Sequence, residues 1–253
     1  MLLEIKRLTT LFGGLTAVSN LDIYVKEEEM VGIIGPNGAG KSTLFNLITG
    51  FIRPTTGRVV FDEKDITGMK PHRVARLGIG RTFQLNPLFA DFTVLQNVIA
   101  SFYLHPKSSW RAAFFNTPTY RRNERRIAEE ALAILDLLGL DKAKDVLAKH
   151  LPHGYQKMLG VARALATRPK LLLLDEPLGG MNPDEIEFAM GIIDKTRQAG
   201  ITILLVEHNM QIMDIVDRVV VINFGQKICE GTIDEVRENK QVVEAYFGTE
   251  HPA

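Results

Sequence analysis

Two short segments carry residue types and spacings that can do phosphate chemistry. The first is Gly35-Pro36-Asn37-Gly38-Ala39-Gly40-Lys41-Ser42, which satisfies the pattern G-x-x-x-x-G-K-[ST]. A glycine-rich turn of this kind lets consecutive backbone N–H groups converge on phosphate oxygens, and a helix starting at its end adds favourable dipole charge. Lys41 is expected to bridge the β- and γ-phosphates of ATP, with Ser42 ligating Mg²⁺ through its hydroxyl and Thr43 following it into the helix. The second segment, Leu171–Pro177 (LLLLDEP), ends an apolar run in two acids. Asp175 would help hold Mg²⁺, commonly through water, and Glu176 would orient or deprotonate an attacking water. Two acids after an apolar run can also be a plain strand end and helix cap. The upstream cradle favours chemistry.

These side chains need a scaffold, and the pattern of apolar runs describes one. Met30–Ile34, Leu171–Leu174, Ile201–Val206 and Val219–Ile222 are short unbroken apolar stretches ended by glycine, proline or acidic residues. Such runs suit strands buried on both faces, as in a parallel sheet covered by helices. Helical spacing lies between them, for example over Asp184–Ala199, so an α/β fold with a mainly parallel core sheet is expected. Residues 3–28 and 57–62 read as short alternating strands of a small antiparallel β lobe. Residues 86–150 lack a strong strand signal, and Ile127, Ala131, Ile134, Leu135 and Leu138 recur there at helical spacing, with Gly139 as C-cap. This stretch reads as a helical subdomain inserted into the core.

Composition narrows the function classes. Lys plus Arg equals Asp plus Glu at 30 each, so no global field attracts nucleic acid, and no nucleic-acid partner is expected. The basic cluster Arg121, Arg122, Arg125 and Arg126 reads as a solvated helix face. The single cysteine, Cys229, makes no internal disulfide, which suits the cytosol. The opening MLLEIKRLTT is unlike a signal peptide, and no window holds about 18 uninterrupted apolar residues. Work at a membrane would require another protein to hold onto.

Together the two segments resemble the ATP-binding cassette (ABC) ATPases, a P-loop NTPase family, over essentially the whole chain. The resemblance implies roles for further residues. Gln84, in RTFQLNPLF, matches the Q-loop glutamine that links the γ-phosphate and Mg²⁺ to the helical subdomain. His208, in LLVEHNM, matches the switch histidine that contacts the γ-phosphate. Gly179-Gly180-Met181-Asn182 takes the place of the D-loop, and Phe12 that of an aromatic stacking on adenine, although Phe12 is also a candidate core residue. The family signature Leu-Ser-Gly-Gly-Gln is altered here to Leu151-Pro152-His153-Gly154-Tyr155-Gln156. Gly154 and the following helix keep backbone N–H groups that can point at a phosphate. In this family each signature completes the partner's ATP site, so the change bears on the site across the interface and suggests an asymmetric heterodimer with one slower site.

A narrower resemblance rests on FGGLTAVSNLDI, GIGRTFQLNPLFADFTVLQNV, NTPTYRRNERR and EAYFGTE. These look like one ATPase subunit of high-affinity branched-chain (hydrophobic) amino acid importers. That implies a second ATPase subunit in a hetero- or homodimer, two polytopic permease subunits, an indirectly linked substrate-binding protein, and a peripheral place on the cytoplasmic face of the inner or plasma membrane. Lipid or lipopolysaccharide transport, and non-transport ABC action on ribosomes or DNA, are the rival readings. Leu85, Leu88, Phe89 and Phe92 are candidates for gripping a permease helix or for subdomain core. The aromatics Trp110, Phe114, Phe115 and Tyr120 are candidates for a contact surface or for packing under a loop. Residues 1–253 are read as one domain, with the core in 1–85 and 157–230, the helical subdomain in 86–156 and a helical extension in 231–253.

Overall fold

The computed structural model describes residues 1–83, 87–103, 117–208 and 210–247, the side chains of Met210 and Phe247 aside. Gln84, Leu85, Asn86, Trp110, Phe114 and Phe115 lie outside the described residues. Two sheets organise the chain. The first is antiparallel, in the order β2-β1-β4-β5, from β1 (Leu3–Phe12), β2 (Leu15–Val25), β4 (Thr56–Phe61) and β5 (Lys64–Asp65). The second has the order β10-β9-β3-β8-β7-β6, built from β3 (Met30–Ile34), β6 (Ile79–Arg81), β7 (Leu171–Asp175), β8 (Thr202–Val206), β9 (Arg218–Asn223) and β10 (Gln226–Gly231). It is parallel throughout except for the β9–β10 edge hairpin. The structure therefore shows the α/β fold, with its mainly parallel sheet and antiparallel lobe, that the apolar runs predict.

Alternation along each central strand divides the core between the two faces of the large sheet. Met30, Leu172, Leu174, Ile203, Leu205, Val219 and Val221 face a helical layer. Val31, Ile33, Leu171, Leu173, Leu204, Val206 and Val220 face the antiparallel lobe and α1 (Lys41–Ile48). The helical layer contains α3 (Val94–Phe102), α4 (Pro118–Leu137), α5 (His153–Ala166) and α6 (Pro183–Gln198). Each such side chain, when fully buried, adds about 1.5–3 kcal/mol over exposure. Continuous burial explains why these strands read as solid apolar runs.

The long helix α4 buries Ile127, Ala131 and Leu135, three of the five positions that its spacing picks out, and Leu138 is buried at its C-cap. Gly139 follows with φ +64° and ends it. Arg121, Arg122, Arg125 and Arg126 lie on its exposed side. Short helices complete the chain: α2 (Pro71–Leu77), then α7 (Ile233–Glu238) and α8 (Lys240–Phe247) after β10. Three strands escape the sequence reading, the two-residue β5 among them. Strand β6 has only three residues, and β10 is a half-exposed edge strand of mixed polarity. No helix among the described residues is long and apolar enough to cross a membrane.

Candidate active site at the carboxyl ends of the parallel strands

Strands β3, β7 and β8 end side by side, and the predicted chemistry leaves from those ends. Such a crevice outside the carboxyl ends of parallel strands is where open α/β sheets hold ligands. Strand β3 runs directly into Gly35, β7 ends on Asp175, and β8 is followed by Glu207 and His208. The ladder continues past the strands: Glu176 N–H donates to Val206 O at 2.9 Å, and Glu207 N–H to Ile33 O at 3.4 Å.

The loop at 35–40 is shaped by close backbone approach. A Cβ on Gly35 would overlap the Ile222 carbonyl oxygen and stand 3.1 Å from its carbon and 3.2 Å from Ala39 Cβ. Gly40, with φ +101°, would drive a Cβ into the Ala17 carbonyl of β2. Ala39 is buried and its carbonyl accepts from Gly225 N–H at 2.9 Å, which moors the loop to the β9–β10 turn. Asn37 and Gly38 are exposed at its crest, and Pro36 is half-buried. Gly40 caps α1 without a side chain, and no acidic residue stands in that helix's first turn. Helices α3, α6 and α7, by contrast, carry complete side-chain capping boxes. The N-terminal N–H groups of α1 are thus suited to an anion.

Lys41 is 6% exposed, and its ammonium donates to the carbonyls of Gly35 (2.7 Å) and Pro36 (2.9 Å). Burial holds its pKa below the ordinary lysine value, while the charge of Glu176 pulls it back up. Ser42 is exposed and Thr43 half-buried on the first turn of α1. Glu176 and His208 come together, with 3.2 Å between Oε1 and Nε2. Glu176 adopts φ +48°, a left-handed conformation that costs a non-glycine residue about 1–2 kcal/mol. Its backbone carbonyl accepts from Lys157 Nζ at 2.9 Å. Burial lowers the Lys157 pKa, opposed by the charges of Glu207 and Glu176.

Three further functional candidates were missed in the sequence. Arg81 closes β6 and donates to Asp175 Oδ2 at 2.9 Å, an ion pair with both side chains 7% exposed. Glu207, 2% exposed, accepts from Leu178 N–H at 2.6 Å and His208 N–H at 2.9 Å, and so ties the segment after β7 to the histidine. Glu185 is the third. Gly154 N–H, expected to be available to a phosphate, instead donates to Glu185 Oε1 at 2.9 Å, while Glu185 Oε2 accepts from Asn182 N–H at 3.1 Å. These two backbone bonds, Gly154 first, hold the Glu185 carboxyl below its ordinary pKa. The reason is local: Pro152 caps α5 without a side-chain bond, so a carboxylate from α6 takes the orphan N–H. The signals available were an arginine just before TFQ and an acid just before His208.

Phe12 stands at the tip of the β1–β2 hairpin, 47% exposed, so it is not a core residue. Phe89 and Phe92 are also exposed, their ring centroids 5.1 Å apart, whereas Leu88 packs partly against the core. They lie beyond a groove of about 340 Å³ lined by Phe51, Arg81, Phe83, Pro87 and Arg163.

Comparison with known proteins agrees with this geometry. The family described as "ABC transporter" matches residues 18–179, and one described as "Branched-chain amino acid ATP-binding cassette transporter" matches residues 226–252. The high-affinity branched-chain amino acid transport ATP-binding protein BraF of Pseudomonas aeruginosa is 41% identical over 98% of both chains. The protein of that description called LivG in Escherichia coli is 37% identical over 98% of both. A nucleotide-free ATP-binding cassette from an ABC transporter superposes with a TM-score of 0.83 at 35% identity, covering 98% of this chain and 99% of that one. The ADP conformation of such a cassette gives 0.84 at 35% identity, with the same coverage. A phosphate loop on β3, acids on β7, a histidine after β8 and full-length similarity thus converge, and the chain belongs to the ABC transporter family as an ATP-hydrolysing, nucleotide-binding subunit.

Proposed function

We propose that this chain energises the import of branched-chain or other hydrophobic amino acids, as a peripheral subunit on the cytoplasmic face of the inner membrane. Full-length similarity to BraF and LivG, together with the match over residues 226–252, carries the substrate reading. Its companions would be two polytopic permease subunits, a second and non-identical ATPase subunit, and indirectly a substrate-binding protein. The permease would grip the groove beside Phe51, Phe83 and Phe89. Residues 86–156, read as the helical subdomain, contribute Phe89 to this contact and carry the signature segment, and α5 runs on from there into residues 157–166 of the core.

The site itself would work by positioning and electrostatics. The N–H groups of the 35–40 loop and of the α1 N-terminus cradle the phosphates, and Lys41 exchanges its carbonyl partners for β- and γ-phosphate oxygens. Phe12 offers an exposed ring for adenine. Glu176 polarises the attacking water, and His208, within hydrogen-bonding distance of Glu176, orients it and meets the γ-phosphate. The donor set fits Mg²⁺: a hydroxyl (Ser42) and one carboxylate (Asp175), to which the family resemblance adds Gln84, outside the described residues. Such hard oxygen donors suit an ion that keeps water and phosphate oxygens in its shell, and no group of three His, Cys, Asp or Glu that would suit another metal occurs among the described residues. When bound, Mg²⁺ would neutralise developing charge on the phosphates.

Affinity purification of the tagged chain from gently solubilised native membranes, with mass identification of its companions, tests the reading. Two different polytopic proteins and a second ATPase support it. Lipid-export components, ribosomes or no membrane companion overturn the import assignment.

A further inference from the structure

The Arg81 side chain stands between the groove and the acids of β7. Its Nη2 donates to Asp175 Oδ2 at 2.9 Å, and Nη1 donates to Asn46 Oδ1 at 2.8 Å and to Thr49 Oγ1 at 2.9 Å, both on the segment that begins as α1. Asp175 Oδ1 carries no hydrogen bond among the described residues. Three rings surround the guanidinium: Phe83 at 4.9 Å, Phe45 at 5.5 Å and Phe51 at 6.0 Å from its central carbon. Phe51 and Phe83 are wall residues of the 340 Å³ groove, as is Arg81 itself. On the other side, Thr82 and Phe83 also line the small cleft that holds Lys157, Asp175 and Glu176. The Thr82 hydroxyl accepts from Asp175 N–H at 3.2 Å, so the last residue of β6 and the one after it hold Asp175 by side chain and backbone.

Charge geometry separates this arrangement from ordinary packing. A planar guanidinium can hold a carboxylate and two further acceptors at fixed angles, which an ammonium cannot do from one point. One oxygen of Asp175 is committed to Arg81 and the other is left for bonding elsewhere. Arg81 Nε is buried with no hydrogen-bond partner among the described residues. A buried donor in that condition costs stability rather than adding to it. The side chain is therefore placed for what its two Nη atoms hold.

We propose that Arg81 is a positioning residue: it fixes the orientation of the Asp175 carboxylate toward Mg²⁺ and, through its stacking on Phe83 and Phe51, makes that carboxylate responsive to what fills the groove. The proposal rests on the assignment of Asp175 to Mg²⁺. Binding of nucleotide phosphates to the 35–40 loop does not pass through Arg81, so the two contributions separate. The purified full-length chain is titrated with a fluorescent, non-hydrolysable ATP analogue, once in EDTA and once across a Mg²⁺ series, with no turnover involved. Arg81→Lys is expected to keep affinity in EDTA within about twofold and to weaken the Mg²⁺ response roughly tenfold, the loss of about 1.4 kcal/mol. Phe83→Leu leaves all three Arg81 bonds in place and should weaken it about threefold.

Equal losses with and without Mg²⁺ in Arg81→Lys would mean a structural role only and overturn the proposal. So would a Mg²⁺ response unchanged in both variants. If Arg81→Lys fails to fold, Phe83→Leu decides, because its ring is partly exposed and its loss is tolerable. Asp175→Asn is the control for the underlying assignment. A Mg²⁺ response that survives it removes Asp175 from the metal without speaking to the Arg81 bonds.

Discussion

Gly35 and Gly38 belong to one loop, yet their replacement by alanine should fail in different ways. At Gly38, φ is +80° and no atom lies within 4 Å of an added Cβ, so only the left-handed backbone penalty applies, about 1–2 kcal/mol. At Gly35 the added Cβ meets the Ile222 carbonyl, which belongs to the backbone and cannot rotate aside. Relief requires opening the β3–β9 ladder where Ile34 pairs with Val221. Two ladder bonds at about 1 kcal/mol each, plus at least one buried group left unpaired at about 1–3 kcal/mol, give a total of about 4 kcal/mol. For a domain of this size about 2–4 °C of Tm follows each kcal/mol. Gly38→Ala should therefore lose a few degrees and Gly35→Ala roughly 8–16 °C. Calorimetric unfolding is repeated with Mg²⁺ and a non-hydrolysable nucleotide at 100 times its Kd, where binding adds about 2.7 kcal/mol. Gly38→Ala should keep most of that increment and Gly35→Ala should lose it. Equal Tm losses, or a full nucleotide increment in Gly35→Ala, would refute the close-approach argument.

Glu176→Gln should bind ATP normally and hydrolyse it at least about a hundredfold more slowly, as for a lost general base; phosphate release at the wild-type rate would remove Glu176 from that role. Lys41→Ala should weaken nucleotide binding in equilibrium titration, and unchanged affinity would contradict the cradle. The lowered Lys41 pKa also sets a pH dependence: the ammonium that meets phosphate is present below that pKa and lost above it, so affinity should fall with rising alkaline pH sooner than for an ordinary lysine. A pH titration of nucleotide affinity, flat to the usual lysine range, would count against this. Glu207→Ala strands the buried N–H of Leu178 and removes the partner of the half-buried His208 N–H. It should cost about 3 kcal/mol, or roughly 6–12 °C, and slow hydrolysis together with it; a variant as stable as the parent would show that Glu207 carries no load.

What the sequence could say depended on how each signal is stored. Runs such as Leu171–Leu174 announce strands because both faces of a parallel sheet are apolar, and the 3.6-residue recurrence of Ile127, Ala131 and Leu135 announces α4 for the equivalent reason. The phosphate loop and the acids of β7 were legible since their spacing is local. Arg81 and Glu207 were not, because their meaning lies in partners about a hundred or thirty residues away: Asp175 for one, Leu178 for the other. Strand β6 is three residues long and has no period to detect. The hold of Glu185 on Gly154 was hidden for the same kind of reason, since it comes from another helix.

The buried charges at this edge of the sheet are themselves an argument about function. Arg81 with Asp175, Glu207 with two backbone N–H groups, and the half-buried Lys157 with the Glu176 carbonyl each join one element to another: β6 to β7, the segment after β8 to that after β7, and α5 to the segment after β7. Replacing a buried ion pair with apolar residues of similar volume is often neutral or stabilising by about 1–4 kcal/mol. The central strands β3, β7, β8 and β9 use that apolar solution a few ångströms deeper. Charge is kept at these carboxyl ends, where the side chains must hold an orientation rather than fill a volume. Asp175, Glu176 and His208 all lie within two residues of a strand end, so little chain is left to wander. Transition-state stabilisation of a phosphoryl group needs dipoles fixed in advance, and the ties between neighbouring strands are what fix them.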